Sequence, residues 1–238
     1  HSVEEYDAAG RILQITARSG LVQKYSLSDG NGGLLYRSVP QPNGTGYLAP
    51  PCTNRPAGFS NSANPGLVMC ITDSFGRQIN FSYFAQGRIR QMADPAGGIY
   101  AYSYDSANNL TAVTYPGGGT RQYVYNESSE TAGASLPHAL TSVIDENGLR
   151  FAIISYDSQG RAIATRHTDF YFDYVSLSYG GNATTITDGL GAVRTSNFQT
   201  VLGVAKTTGQ SQPGGSGCNA ASSSITYDAN GNIATQTD

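Results

Sequence analysis

Charge is scarce in this chain: Asp, Glu, Lys and Arg make up 13% of its 238 residues, where about a quarter is usual for soluble domains. With a net charge of −3 and a pI near 5.6 there is no basic footprint for nucleic acid. Trp is absent, and histidine is limited to His1, His138 and His167. Cysteine is limited to Cys52, Cys70 and Cys218, with no CxxC pair, so metal-ligand spacing is missing. Helix signals are almost lacking, and no apolar run approaches the roughly 18 residues of a membrane helix. No signal peptide is visible at an N-terminus that begins with His1 rather than Met, and Asp238 falls eleven residues after Tyr227. The chain therefore reads as a segment of something longer.

Glycine (29 residues) and tyrosine (16) fill the space that charge leaves. Aromatic or Asp markers stand at 73, 83, 94, 104, 115 and 125, in alternating steps of ten and eleven. Each opens a polar turn that bears Gly or Asn, so two half-units make one 21-residue repeat. A fixed period of that size signals a repeat architecture. The rhythm continues outside this block, at Tyr6-Asp7-Ala-Ala-Gly10-Arg11, Asp145-Glu-Asn-Gly148, Tyr156-Asp157-Ser-Gln-Gly160-Arg161, Asp188-Gly-Leu-Gly191 and Tyr227-Asp228-Ala-Asn-Gly231-Asn232. Tyr104-Asp105 belongs to the same set. The residue choice is local chemistry: an Asp side chain bonds its own backbone two residues on, and Gly supplies the positive φ of a tight hairpin.

Between turns lie five to seven residues of alternating character. Tyr100, Tyr102 and Tyr104 share one face, opposite Ile99, Ala101 and Ser103. Arg121, Tyr123 and Tyr125 repeat that face one unit later, and Ile79, Phe81 and Tyr83 one unit earlier. Each stretch predicts a strand. After the Tyr turns the pattern loosens. Leu110 and Val113, or Ile12 and Ile15, are three apart, so either both faces are covered or a bulge intervenes. The expected fold is all-β: antiparallel hairpins of about 21-residue repeats that form a curved, spiralling sheet, a partial β-shell. It is expected as a single segment over 1–238, with insertions at 38–68, 126–138 and 207–222. The first holds six of the ten prolines and the last reads as a Gly/Ser loop. Cys52 and Cys70 flank a Pro/Asn/Ser-rich stretch that a disulfide could close in an oxidising compartment, or they stand as two unlinked thiols.

The Tyr-Asp-x-x-Gly-Arg turn, followed about eleven residues later by Asp-x-x-Gly, resembles the Rhs/YD-repeat family. The copies at Tyr6, Tyr156 and Tyr227, with the sustained rhythm, carry that resemblance over the chain apart from its insertions. The resemblance implies β-sheets spiralling into a hollow shell, as in insecticidal toxin-complex subunits, bacterial Rhs proteins and animal teneurins. It implies a non-catalytic, cofactor-free segment of a secreted or cell-surface bacterial toxin that encloses or presents a C-terminal effector. Partners would be the rest of the parent chain and that toxin. The alternative is an extracellular, adhesin-like array that binds glycans or a partner cell surface through exposed Tyr rows. An isolated segment would self-associate through its sheet edges. The family's paired Asp-Pro-x-Gly-Leu cleavage motif is not matched, since Asp94-Pro95-Ala96-Gly97 continues with Gly98 and reads as a turn.

Other candidate chemistry dissolves into turns and loops. Gly214-Gly-Ser216-Gly-Cys218 misses the nucleophile elbow at its last position. Asp29-Gly-Asn31-Gly-Gly33 has Pro40 where a calcium loop needs its bidentate Glu. His138, near Glu127 and Glu130, and His167, before the aromatic stretch at 169–174, assemble into no site.

Overall fold

A computed structural model describes residues 2–35, 50–53, 55–60, 62, 64–167 and 173–238. The expected loop at 38–68 falls, up to residue 49, outside the described residues, as does most of the aromatic stretch, residues 169–172. The chain divides into two compact units, His1–Thr120 and Arg121–Asp238. The first runs β1 (Val3–Tyr6), β2 (Ile12–Thr16), β3 (Val22–Leu27), β4 (Val68–Asp73), β5 (Gln78–Tyr83), β6 (Ile89–Ala93), β7 (Ile99–Tyr104) and β8 (Leu110–Thr114). At the boundary begins β9 (Thr120–Tyr125), then β10 (Leu140–Ile144), β11 (Arg150–Tyr156), β12 (Ala162–Arg166) and β13 (Val175–Tyr179). The second unit ends with β14 (Ala183–Thr187), β15 (Val193–Val201), β16 (Val204–Gln212), β17 (Ala221–Tyr227) and β18 (Ile233–Thr237). Within each unit every strand pairs antiparallel with its neighbours in sequence, a plain meander. The fold is all-β, and no helix among the described residues is long and apolar enough to cross a membrane.

One turn design recurs. In the turn after β11, Asp157 Oδ1 accepts the backbone N–H of Gln159 (3.0 Å) and of Arg161 (2.9 Å). The backbone closes the same loop, Asp157 N–H to Arg161 O at 3.0 Å and Gly160 N–H to Asp157 O at 2.9 Å. Gly160 sits at φ 80°, a conformation that costs an L side chain free energy. Asp7, Asp29, Asp73, Asp94, Asp145, Asp188 and Asp228 bond the N–H groups two and four residues on in the same way. Asn108 takes the glycine's place after Asp105, at φ 71°, a region that Asn tolerates better than most residues.

The irregular strands after the Tyr turns are bulged. Glu5 faces Gln14 but Tyr6 faces Ile12, so Leu13 is an extra residue. Ser103 faces Ala112 and Tyr104 faces Leu110, which leaves Thr111 over. The same shift accompanies Tyr83, Tyr156 and Tyr227. A bulge lets residues three apart, such as Ile12 and Ile15, serve one strand.

Two insertions fold back over their own unit. Cys52 and Cys70 are bonded, with S–S 2.09 Å and Cα–Cα 5.7 Å. Around that link, Ser26 Oγ donates to Pro50 O (2.6 Å), Gln78 Nε2 to Pro51 O (2.8 Å) and Ser28 Oγ to Ser62 O (2.6 Å). The insertion thus buries a polar row on β3, β4 and β5: Ser26, Thr72, Gln78, Asn80 and Ser82. Residues 207–222 differ from their expected loop. Those at 207–212 continue β16, which pairs with β15 from Val201–Val204 through Thr195–Ser211. A tight turn at Leu202 (φ 51°) and Gly203 (φ 81°) joins the two strands. Ladder hydrogen bonds on both sides outweigh the weak strand preference of a Gly/Ser/Gln stretch.

Candidate functional site

The feature that recurs from unit to unit is the contact between one Tyr turn and the next. Tyr83 donates its hydroxyl to Val68 O (2.5 Å), Tyr156 to Leu140 O (3.0 Å), Tyr179 to Ala162 O (2.6 Å) and Tyr227 to Thr207 O (2.8 Å). Each acceptor stands where the register of its own strand has just shifted: Val68 opposite Leu27, Leu140 opposite Tyr125, Ala162 opposite Tyr156, Thr207 opposite Phe198. A bulge interrupts the ladder and leaves a backbone group in need of a partner. The hydroxyl of the next Tyr supplies it.

Cations reinforce the same step. The Arg88 guanidinium lies 4.7 Å over the Tyr104 ring, Arg161 lies 4.7 Å over Tyr179 and Lys206 Nζ lies 4.9 Å over Tyr227. Arg88 Nε and Nη1 are buried without a hydrogen bond, so the aromatic face provides much of what holds this charge. Arg161 also bonds Asp157 Oδ2 at 2.7 Å in its own turn, and Arg11 bonds Asp7 Oδ2 at 3.0 Å. Burial raises Tyr83 to about 12. It also raises Tyr104, against the pull of Arg88, and Tyr156. These hydroxyls therefore remain donors at neutral pH.

The predicted turn residues thus split into two jobs. Asp7, Asp105, Asp157 and Asp228, with Gly10, Gly160 and Gly231, shape single turns. Tyr156 and Tyr227 join neighbouring turns, whereas Tyr6, at the outer strand of its unit, bonds Glu4 Oε2 at 2.6 Å. That bond to Glu4 raises the Tyr6 hydroxyl above its ordinary range.

Sequence reasoning missed the carboxylates of the 126–138 insertion. Glu127 accepts from Thr141 Oγ1 (2.8 Å), Ser142 Oγ (2.7 Å) and Arg150 Nη2 (2.7 Å). Glu130 accepts from Ser155 Oγ and, at 3.1 Å, from Arg166 Nη2. Burial pushes the Glu127 carboxyl up, but the bonds from Ser142, Arg150 and Thr141 outweigh it and hold the group below its ordinary range. Thr141 and Ser142 are fully buried beneath this strap. Ser142, Ser155 and Arg166 lie on the face opposite Val143, Ile154 and Tyr156, so the strap covers the side away from the tyrosines. In the first unit the disulfide-linked insertion likewise covers the Gln78–Asn80–Ser82 side and leaves Ile79, Phe81, Tyr100 and Tyr102 half-buried.

Among the described residues no cluster of three or more His, Cys, Asp or Glu could hold a metal ion. His167 lies 4.9 Å from the Phe151 ring and 3.6 Å from Asp173. Cys218 is an exposed free thiol.

Comparison with known proteins agrees with this geometry. The family model RHS Repeat matches residues 83–120, a stretch that holds the turns at 84–88, 94–98, 105–109 and 115–119. No curated protein matches the sequence. Among solved structures, one entitled TcdB2-TccC3-TEV aligns over 97% of this chain and 16% of its own, at TM-score 0.50 and 13% identity. The Tc holotoxin pore of Photorhabdus luminescens aligns over 99% of this chain and 15% of its own, at TM-score 0.31 and 12% identity. Only the first is near enough to speak for the fold, and this chain spans about a sixth of that structure's length. The RHS Repeat match is seated on two copies of a hairpin unit that recurs along both units, and over that stretch the chain is similar to the Rhs/YD-repeat family.

Proposed function

We propose that this chain is a non-catalytic wall segment of a secreted, toxin-complex type β-shell, one that encloses or presents a C-terminal effector of its parent protein. The observation that carries this reading is the step between turns, a Tyr hydroxyl on the preceding bulge, in three cases of five joined or replaced by a cation on the Tyr ring. A contact that each unit makes only with its neighbour builds a wall of any length and commits no residue to chemistry. The similar fold of a Tc toxin structure supports the same role, with the rest of the parent chain and the effector as partners. The expected location is outside the producing cell or on its surface.

The test uses the parent protein expressed with its effector. Limited proteolysis should spare the effector while the wall is intact. The double variant Tyr156→Phe/Tyr179→Phe, which removes two steps of the lock, should expose it sooner. Equal cleavage of the effector with and without the shell region would end the container reading.

A further inference from the structure

The two insertions that fold back over their sheets are held in different ways. In the second unit the strap satisfies what it buries: Thr141 and Ser142 both donate to Glu127, at 2.8 and 2.7 Å. In the first unit the insertion satisfies one end of its polar row and not the other. Ser26 and Gln78 reach Pro50 O and Pro51 O, and Gln78 also bonds Thr72 Oγ1 (2.9 Å) and Thr53 Oγ1 (3.2 Å). Further along β5, Asn80 is 2% exposed and Ser82 3%. Asn80 Oδ1 and Ser82 Oγ have no hydrogen-bond partner among the described residues. The cross-strand neighbours of Asn80 are Ala93 and the bonded Cys70, whose side chains offer it no donor. Each such group shifts the balance toward an opened cover by about tenfold.

We infer that the Cys52–Cys70 link is a redox latch, and that reduction frees residues 50–53 and 55–60 to lift from the polar row of β3, β4 and β5. The link joins residues 18 apart in sequence. Closing a loop of that length withholds chain entropy from the opened form, worth on the order of a hundredfold. The two unsatisfied groups together oppose it by a similar factor, so without the link the cover is poised to open. The bonds from Ser26, Gln78 and Thr53 exchange for bonds to water on opening, and each weighs less than an unmade one. Beyond residue 60 the insertion keeps anchors that need no link. Ser28 Oγ donates to Ser62 O, Asn64 Nδ2 to Ala85 O (2.9 Å), Ser28 N–H to Leu67 O and Gly66 N–H to Ser28 O, the last two at 2.8 Å. These hold a hinge beside β4, so the opening is local.

Cys70 is fully buried and Cys52 half-buried, so a reductant reaches the link from the Cys52 side. That reductant is a dithiol. One of its thiolates attacks Cys52 Sγ, the S–S bond breaks, and Cys70 leaves as a thiolate that takes up a proton. The second thiol of the reductant then displaces Cys52, which leaves as a thiol, and the reductant ends as a disulfide. Two electrons and two protons pass to the protein. The latch does not depend on the container reading, since it uses none of the Tyr contacts.

The test is hydrogen exchange read by mass spectrometry on the full chain, oxidised and after reduction with dithiothreitol. The N–H of Phe59 bonds Pro56 O at 3.1 Å in the linked chain. It should exchange about tenfold faster or more once the link is cut, while β4, β5 and the N–H of Gly66 keep their rates. In Cys52→Ser/Cys70→Ser, without reductant, chymotrypsin should cut after Phe59, which is 8% exposed in the linked chain, faster by a similar factor. Asn80→Leu/Ser82→Ala removes the unsatisfied groups, and its reduced form should exchange at Phe59 about as slowly as the oxidised parent chain. The inference fails if reduction leaves exchange at Phe59 unchanged. It fails equally if β4 and β5 lose protection together with Phe59, which would make the link a scaffold of the whole sheet. It also fails if reduced Asn80→Leu/Ser82→Ala exchanges as fast as the reduced parent chain.

Discussion

Tyr156 and Asp157 stand next to each other and work in different directions, one outward to the neighbouring strand and one inward to its own turn. The backbone N–H of Arg161 is the chief cause that holds the Asp157 carboxyl below its ordinary range, and that of Asn232 does the same for Asp228. For Asp73, burial pushes upward but the Arg77 side chain and the turn N–H groups prevail. A carboxyl depressed in the folded state contributes stability that is present above its unfolded pKa, near 3.9, and is lost as pH falls through the folded value. The melting temperature should therefore hold from pH 7 to about 5 and fall below about 4. Asp157→Asn/Asp228→Asn keeps the turn bonds and should flatten that fall; an unchanged slope would show that the turns do not govern acid stability. Tyr83 gives the opposite sign. Burial raises its hydroxyl to about 12, so its contribution is present below about pH 10 and lost as pH rises toward 12. Phenolate absorbance should show Tyr83 ionising after the other tyrosines, and Tyr83→Phe should remove that late step. At neutral pH, Tyr156→Phe takes away the bond to Leu140 O and should cost about 1 kcal/mol in urea unfolding.

Strands and turns were largely legible in the sequence, because each is decided by residues within ten of one another. The alternation of Tyr100, Tyr102 and Tyr104 marks β7 from Ile99 to Tyr104, and Asp157-Ser-Gln-Gly160 marks its turn. What could not be read is what depends on distant residues. The stretch at 207–212 has poor strand propensity, yet it is held between β15 and β17. A bulge and a strand covered on both faces give the same spacing of Ile12 and Ile15, and only the register at Leu13 separates them. Glu127 and Glu130 look like solvated loop residues, because their cations, Arg150 and Arg166, come 23 and 36 residues later. The strap's role follows from those pairs. Their side chains are partly exposed, Arg150 at 40% and Glu127 at 23%, so solvent screening limits the worth of the ion pair itself to roughly 0.2–1 kcal/mol. A double-mutant cycle of Glu127→Ala and Arg150→Ala should give a coupling in that range. The Glu127→Ala single variant should cost more, since Thr141 and Ser142 lose their buried acceptor.

At the scale of the molecule, the question is what stabilises a chain with so small an apolar interior. The described residues bury only a few apolar side chains, chiefly Leu13, Leu27, Phe59, Met69, Val113 and Ile153. Among the described residues no second layer of strands backs the meander of either unit, and the covering comes from the two insertions instead. Stability must then rest on contacts between neighbours, as in other repeat arrays, where each unit adds its own share plus an interface. The outermost strands lack one neighbour. Among the described residues of the second unit β18 pairs only with β17, all five of its residues are exposed, and Ile233-Ala-Thr-Gln-Thr237 carries no charge. Among those of the first, β1 pairs only with β2, but Glu4 and Glu5 place charge on it. An uncharged, open strand edge invites pairing with another chain, and a lysine on such an edge is the usual protection. The chain should therefore associate in sedimentation velocity as its concentration rises, mainly through β18. The variant Ile233→Lys/Gln236→Lys should stay monomeric at concentrations where the parent chain associates. A change on β1, such as Val3→Lys, should matter less, because that edge already carries two carboxylates. If the β18 variant associates as strongly as the parent chain, the contact lies elsewhere, and the half-buried aromatic face of Phe81, Tyr100 and Tyr102 becomes the surface to alter next.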